Sequence, residues 1–132
     1  MGLIMTGLVS RRSAHGVQET VEAIRKQIEL RETGIVAVVD HAEAAHAVGL
    51  DMPATQVIIF GNPRVGTPLM NVAPDIAIDL PLRVLVRDDG EPGSVVSWQD
   101  PRFVADRFGL QGDEHAALTT PETVVAAALE AT

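Results

Sequence analysis

The chain contains no cysteine and no tyrosine, and only three phenylalanines and one tryptophan among its 132 residues. Without cysteine there is no disulfide, no thiolate zinc site and no cysteine nucleophile, and redox logic leaves the compartment undetermined. Scarce aromatics imply a core of Val, Ile, Leu and Ala, and a surface with few rings on which bases could stack. Positive charge is in short supply as well: ten Lys and Arg stand against eighteen Asp and Glu, for a net charge of −8. A phosphate backbone is held by Lys and Arg, so nucleic acid is not an expected partner. No apolar run approaches the length that spans a bilayer. The opening Met1–Thr6 lacks the basic and apolar segments of a secretory signal. The expectation is a cytoplasmic protein without a membrane partner.

A hydrophobic share of 46% with 21% charged residues places the chain among globular domains rather than disordered ones. Its length suits one domain over residues 1–132. Leu3–Arg12 reads as a strand. Val17, Val21, Ile24 and Ile28 recur at helical spacing, with Glu19, Glu22, Arg25 and Lys26 opposite, and Gly34 is the expected stop. Ile35–Val39 is short and β-branched and predicts a buried strand ending at Asp40-His41. Ala42–Val48 predicts a short helix closed by Gly49. Gln56–Phe60 predicts a third strand.

The stretch from Phe60 to Met70, FGNPRVGTPLM, is the most informative. Gly61 can take positive φ, Asn62 is held extended by the proline after it, and Pro63 suits the first turn of a helix running to about Val72. Pro74–Leu80 reads as a connector in which Ile76, Ile78 and Leu80 alternate. Leu82–Arg87 and Ser94–Trp98 flank the loop DDGEPG and predict a hairpin. Asp100-Pro101 and Thr120-Pro121 are helix starts, the first helix ending at Gly109 and the second covering Glu122–Ala131. Mixed elements with a late antiparallel hairpin favour α+β over a doubly wound parallel sheet.

Several of these segments, taken together in order, resemble one family. They are Glu19-Thr-Val21, Val39-Asp-His41, Ala44-Ala45 with Gly49, Phe60-Gly-Asn-Pro63, Gly66–Met70, Asp79–Leu82, the hairpin and Asp100-Pro101. The resemblance is to the bacterial and archaeal domain of unknown function 302, over about Leu8–Leu110, with 111–132 as a helical extension. It implies a single α+β domain like the TATA-binding protein, with a curved, mainly antiparallel sheet and helices on one face. It also implies a dimer, and no established activity. Trp98, where a tyrosine is commoner, and a turn lengthened by Glu91-Pro92 depart from the family pattern.

Asp40-His41 is the candidate reactive pair, since a carboxylate can orient an imidazole or raise its pKa. Consecutive strand residues point to opposite faces, however, and Asp40 as cap of the next helix needs no further assumption. His41 and His46 are five apart, which is not the spacing of helical metal ligands. A haem-type or soft metal site using His41 and Met70 is conceivable, though Met70 suits core filling. No serine lies in a nucleophile elbow. Gly61–Gly66 has the outer glycines of a phosphate loop, but Thr67 replaces its lysine. A small anion at backbone N–H groups after Pro63 remains open, beside a purely structural turn in which Asn62 bonds its own backbone. Arg83 and Arg87 share a strand face with Leu85, suited to solvent, an acidic ligand or a dimer contact.

The leading expectation is a dimeric, non-catalytic module for a small ligand, an anion or metal-containing group, on a surface lined by Asp40, His41, Gly61, Asn62 and Thr67. The alternatives are an enzyme with His41 as general base, with Asp40 or Asn62 positioning substrate, and a structural homodimer or adaptor. No cofactor is identified.

Overall fold

Strand β1 (Leu8–Ser13) leads into helix α1 (Val17–Leu30), then β2 (Gly34–Asp40), α2 (His41–Ala47), β3 (Thr55–Gly61) and α3 (Pro63–Val72). A 3-10 helix over Pro74–Asp79 precedes β4 (Leu82–Arg87), β5 (Ser94–Gln99) and α4 (Pro101–Arg107). A second 3-10 helix over Gly112–Leu118 precedes α5 (Thr120–Glu130). This computed structural model describes residues 6–31 and 33–131. The part of the expected first strand before Thr6 lies outside the described residues.

All pairings are antiparallel, in the order β1-β5-β4-β3-β2, so the fold is the expected α+β domain around one five-stranded sheet. The helical periodicity of α1 is realised: Val17, Val21, Ile24 and Ile28 are buried. They pack, with Val124, Val125 and Ala128 of α5, on a sheet face made by Ile58, Phe60, Val84, Val86, Val96 and Trp98. A second cluster, from Leu69 and Ile76 to Val104, Ala105, Leu110 and Leu118, joins α3, α4 and the two 3-10 segments. Leu82 packs against both clusters. The opposite sheet face carries Val39, Val57, Ile59, Leu85 and Val95, all partly exposed.

Three local expectations are corrected. The first helix ends at Leu30 with Arg31 as its cap, and Gly34 begins β2 rather than stopping the helix. Strand β2 is not buried but lies at the sheet edge, its Val36 65% exposed, because it has only β3 as a neighbour. Its short β-branched run is equally compatible with a half-covered edge. The connector before β4 is a 3-10 helix, in which Ile76 is fully buried and Ile78 points out. The segment at Gly112–Leu118, unassigned from the sequence, is also 3-10; Glu114 Oε1 accepts a hydrogen bond from the Gln111 N–H at 3.0 Å.

A hydroxyl cluster ties the start of α1 to the sheet. Thr20 Oγ1 lies 2.7 Å from Ser13 Oγ and 3.2 Å from Ser94 Oγ, and the Ser94 hydroxyl donates to the His15 carbonyl at 2.8 Å. Ser13, Thr20 and Ser94 are all buried, so these contacts satisfy groups that water cannot reach.

Candidate functional site

A cavity of about 630 Å³ opens at the end of the sheet where β3 passes into α3. That volume falls in the range of small-molecule sites. Arg31 and Thr33 border it from the end of α1, Val36 from β2, and Gly61, Asn62 and Thr67 from the β3–α3 passage. Leu80-Pro81-Leu82 forms another wall, and Thr119, Thr120 and Thr123 close it from α5.

Each wall has a local cause. The β2–β3 register slips between Ile35 and Ala37, leaving Val36 without a cross-strand partner. A bulge of this kind re-aims a side chain, and Val36 meets the cavity instead of the ladder. Gly61 is not at positive φ, contrary to expectation. Its role is close approach: a Cβ there would stand 3.3 Å from Pro81 Cβ, so glycine lets Pro81 close against the strand. Gly66 faces Leu80 and Met70 at ordinary contact distances and leaves the middle of the cavity open.

Asn62 caps α3, its Oδ1 accepting from the Arg64 N–H at 3.0 Å. The Val65 and Gly66 N–H groups both donate to the Asn62 carbonyl at 2.9 Å. Pro63 has no N–H. The first turn of α3 therefore has its backbone donors engaged within the turn, and the expected anion position on backbone N–H groups is closed. The turn is structural, while the Asn62 amide nitrogen is the group left to donate toward the cavity.

The structure divides the expected site residues into two sets. Gly61, Asn62, Thr67 and Met70 line the cavity together. Asp40 and His41 do not reach it. Gly34 pairs with Gly61 and Asp40 with Gln56, so the two sets occupy opposite ends of the β2–β3 ladder, about 20 Å apart at the rise of a strand. The expected residues thus fall on two surfaces rather than one, with Met70 lining the cavity and His41 following the far end of the ladder. Asp40 caps α2, its carboxylate accepting from the Glu43 N–H at 2.9 Å, and His41 is exposed in the first turn. Among the described residues no carboxylate pairs with His41, and no group of three His, Asp or Glu converges as a metal site. His15 pairs with Glu19 at 2.9 Å and His46 approaches Asp51 at 3.6 Å, both on the surface.

Arg31, Val36 and the threonines at the start of α5 line the cavity without having been expected there from the sequence. Val36 depends on the bulge, and the threonines belong to a helix start that had only a capping role in the sequence. No local signal marked them.

A small α+β domain with an open, largely apolar cavity beside its sheet is the class that fold and site define. The chain belongs to the family described as domain of unknown function DUF302, whose sequence profile matches residues 9–130. That match runs beyond Leu110 and includes α5. A crystal structure of an uncharacterized conserved DUF302 protein from Bacillus stearothermophilus superposes with a TM-score of 0.77 at 16% identity. The likeness covers 95% of this chain and 97% of the other, and it shows a common fold. Among curated proteins, the chain is 38% identical over 108 residues to one named fluoride-specific ion channel FluC 1, from Brucella suis. It has the same identity to one named fluoride-specific ion channel FluC 2, from Brucella melitensis. Those matches cover 82% of this chain but only 42% and 40% of the relatives, so the chain spans about two fifths of their length. No helix among the described residues is long and apolar enough to cross a membrane.

Proposed function

We propose that the protein is a non-catalytic module that binds a small organic ligand in the cavity beside α3. The observation that carries this is the cavity itself: about 630 Å³, with apolar walls and a few convergent polar groups. Catalysis has weaker support, because His41 stands apart from it and Asp40 is engaged as a helix cap. Amide shifts of isotopically labelled protein, followed while a panel of small carboxylates, phosphates and neutral amphiphiles is added, test the reading. Expected are shifts at Gly61, Asn62, Gly66 and Thr67, none at His41, and their loss in Gly66→Leu, which fills the cavity. Cavity amides unmoved by every probe would refute it.

The module acts as a homodimer in this reading, with the sheet face opposite α1 and α5 as the contact. Val57, Ile59, Leu85 and Val95 form a partly exposed apolar stripe there, flanked by Arg83 and Arg87 of β4. A cytoplasmic location fits the same reading.

The relatives named as fluoride channels favour a second one. A channel must cross a membrane, and this chain matches only part of their length, with no helix among the described residues suited to that. The likeness therefore supports a module that accompanies such a channel rather than the conducting part. Fluoride itself suits the cavity poorly, since a small, strongly hydrated ion gains nothing from apolar walls. Sodium fluoride at millimolar concentration is expected to leave the unfolding midpoint unchanged. A saturable rise would put fluoride in place of the organic ligand.

A further inference from the structure

Among the described residues, charge in the cavity runs against the composition of the chain. Acidic residues outnumber basic ones by eighteen to ten overall. Yet among the described residues that line the cavity there is no carboxylate, and Arg31 is the one charged group. Arg31 Nη1 donates to the Gln27 carbonyl at 3.1 Å and to Gln27 Oε1 at 2.6 Å, which steadies the guanidinium through one nitrogen and leaves its other donors. No described acid pairs with it. The Thr67 and Thr120 hydroxyls make no hydrogen bond to another described residue, whereas Thr119 and Thr123 are turned to backbone carbonyls. With the Asn62 amide, the polar rim is rich in donors.

Such a rim fits an anion. It does not fit a phosphate held in a backbone nest, because the N–H groups of the first turn of α3 are already engaged. A carboxylate needs no nest, since the planar guanidinium fork matches its two oxygens. The walls decide the rest of the ligand. Val36, Val65, Leu69, Met70, Leu80 and Leu82 line the cavity, and no aromatic ring among the described residues does. A wall without rings offers nothing for a nucleobase or aromatic acid to stack on, but packs well against a flexible alkyl chain.

We infer that the cavity takes a medium-chain aliphatic monocarboxylate, its head at Arg31 and Thr120 and its alkyl chain along Val65, Leu69 and Leu80. This rests on the reading of the cavity as a ligand site. Calorimetric titration of the full chain with octanoate, octan-1-ol and inorganic phosphate, alongside the amide shifts of Gly61–Thr67, tests both. Octanoate is expected to bind at least about tenfold more tightly than octan-1-ol, as a charge-assisted hydrogen bond requires, and phosphate not at all. Arg31→Gln brings octanoate down to the affinity of octan-1-ol, while Arg31→Lys, which keeps charge without the fork, falls between. Arg31 is exposed at a helix end, so an unchanged unfolding midpoint is the expected control for both variants. Equal binding of acid and alcohol, or an Arg31→Gln variant indistinguishable from the parent, overturns the ligand class but leaves the cavity a site. Neither compound binding, with cavity amides unmoved, overturns both. Phosphatidylglycerol vesicles binding where octanoate does not would point to a lipid surface and also overturn the proposal.

Discussion

Arg107 Nη1 donates to Asp79 Oδ2 at 3.0 Å, joining residues 28 positions apart, α4 on one side and the end of the first 3-10 helix on the other. Arg83 approaches the second oxygen of the same carboxylate at 3.5 Å. The Asp79 side chain is only 9% exposed, while both guanidiniums are about half exposed. The carboxylate thus sits between β4 and α4, directly before the Leu80-Pro81-Leu82 wall of the cavity.

Replacing Asp79 by Ala is expected to lower stability by about 2 kcal/mol, reduced from a fully buried pair because both arginines can return to water. Urea unfolding measures it. A loss also loosens the cavity wall, so the amides of residues 80–82 should broaden in the variant.

The hairpin loop supplies a pH-dependent contact. Arg12 of β1 pairs with Asp89 and donates to the Pro92 carbonyl at 2.9 Å. The hydrogen bond from Arg12 holds the Asp89 carboxyl below its ordinary value near 3.8, against a smaller opposing effect of desolvation. A depressed folded-state pKa stabilises the fold above the ordinary carboxylate value, and that stabilisation is lost as pH falls through the lowered one. The unfolding midpoint of Asp89→Asn should therefore lie below the parent at neutral pH, with the two curves meeting in acid. Parallel curves down to pH 2 would contradict the assignment.

Gly93 stands at φ +84°, and a Cβ there would lie 2.0 Å from the Ser13 carbonyl oxygen. Both the left-handed backbone and a rigid backbone neighbour oppose any side chain. Gly93→Ala is expected to cost at least about 2 kcal/mol, readable as a fall in unfolding midpoint. Gly90→Ala, also at positive φ but in open space, should cost less.

Thr20→Val tests the buried hydroxyl cluster. It removes the oxygen that meets Ser13 and Ser94 while preserving shape, so the two serines lose a common partner. A loss of about 1–2 kcal/mol is expected by urea unfolding. Thr20→Ser, which keeps the oxygen, should recover most of it.

If the sheet face opposite α1 and α5 is the dimer contact, Leu85→Arg places a third like charge between Arg83 and Arg87 and should give a one-chain mass by light scattering. The parent is expected at two-chain mass. A monomeric parent at micromolar concentration would remove the dimer from the functional reading.

Local pattern made much of this molecule legible. The spacing of Val17, Val21, Ile24 and Ile28 specifies a helix face whatever it packs on, and the loop DDGEPG between two β-branched runs specifies a hairpin. Asp40, Asn62 and Asp100 before their helices are caps because a short acceptor side chain reaches the first free N–H groups without tertiary help. What such patterns leave open is distance across the sheet. Whether Asp40 and Asn62 share a surface depends on the register of β2 against β3, and antiparallel pairing puts them at opposite ends. The same pairing leaves β2 at an edge, and its bulge turns Val36 to a cavity whose other walls include the end of α1, the β3–α3 passage, Leu80-Pro81-Leu82 and the start of α5. Capping, turn and periodicity are short-range matters of backbone and solvent, settled within a few residues. A cavity is the space left when distant elements pack, and its lining follows from register and packing.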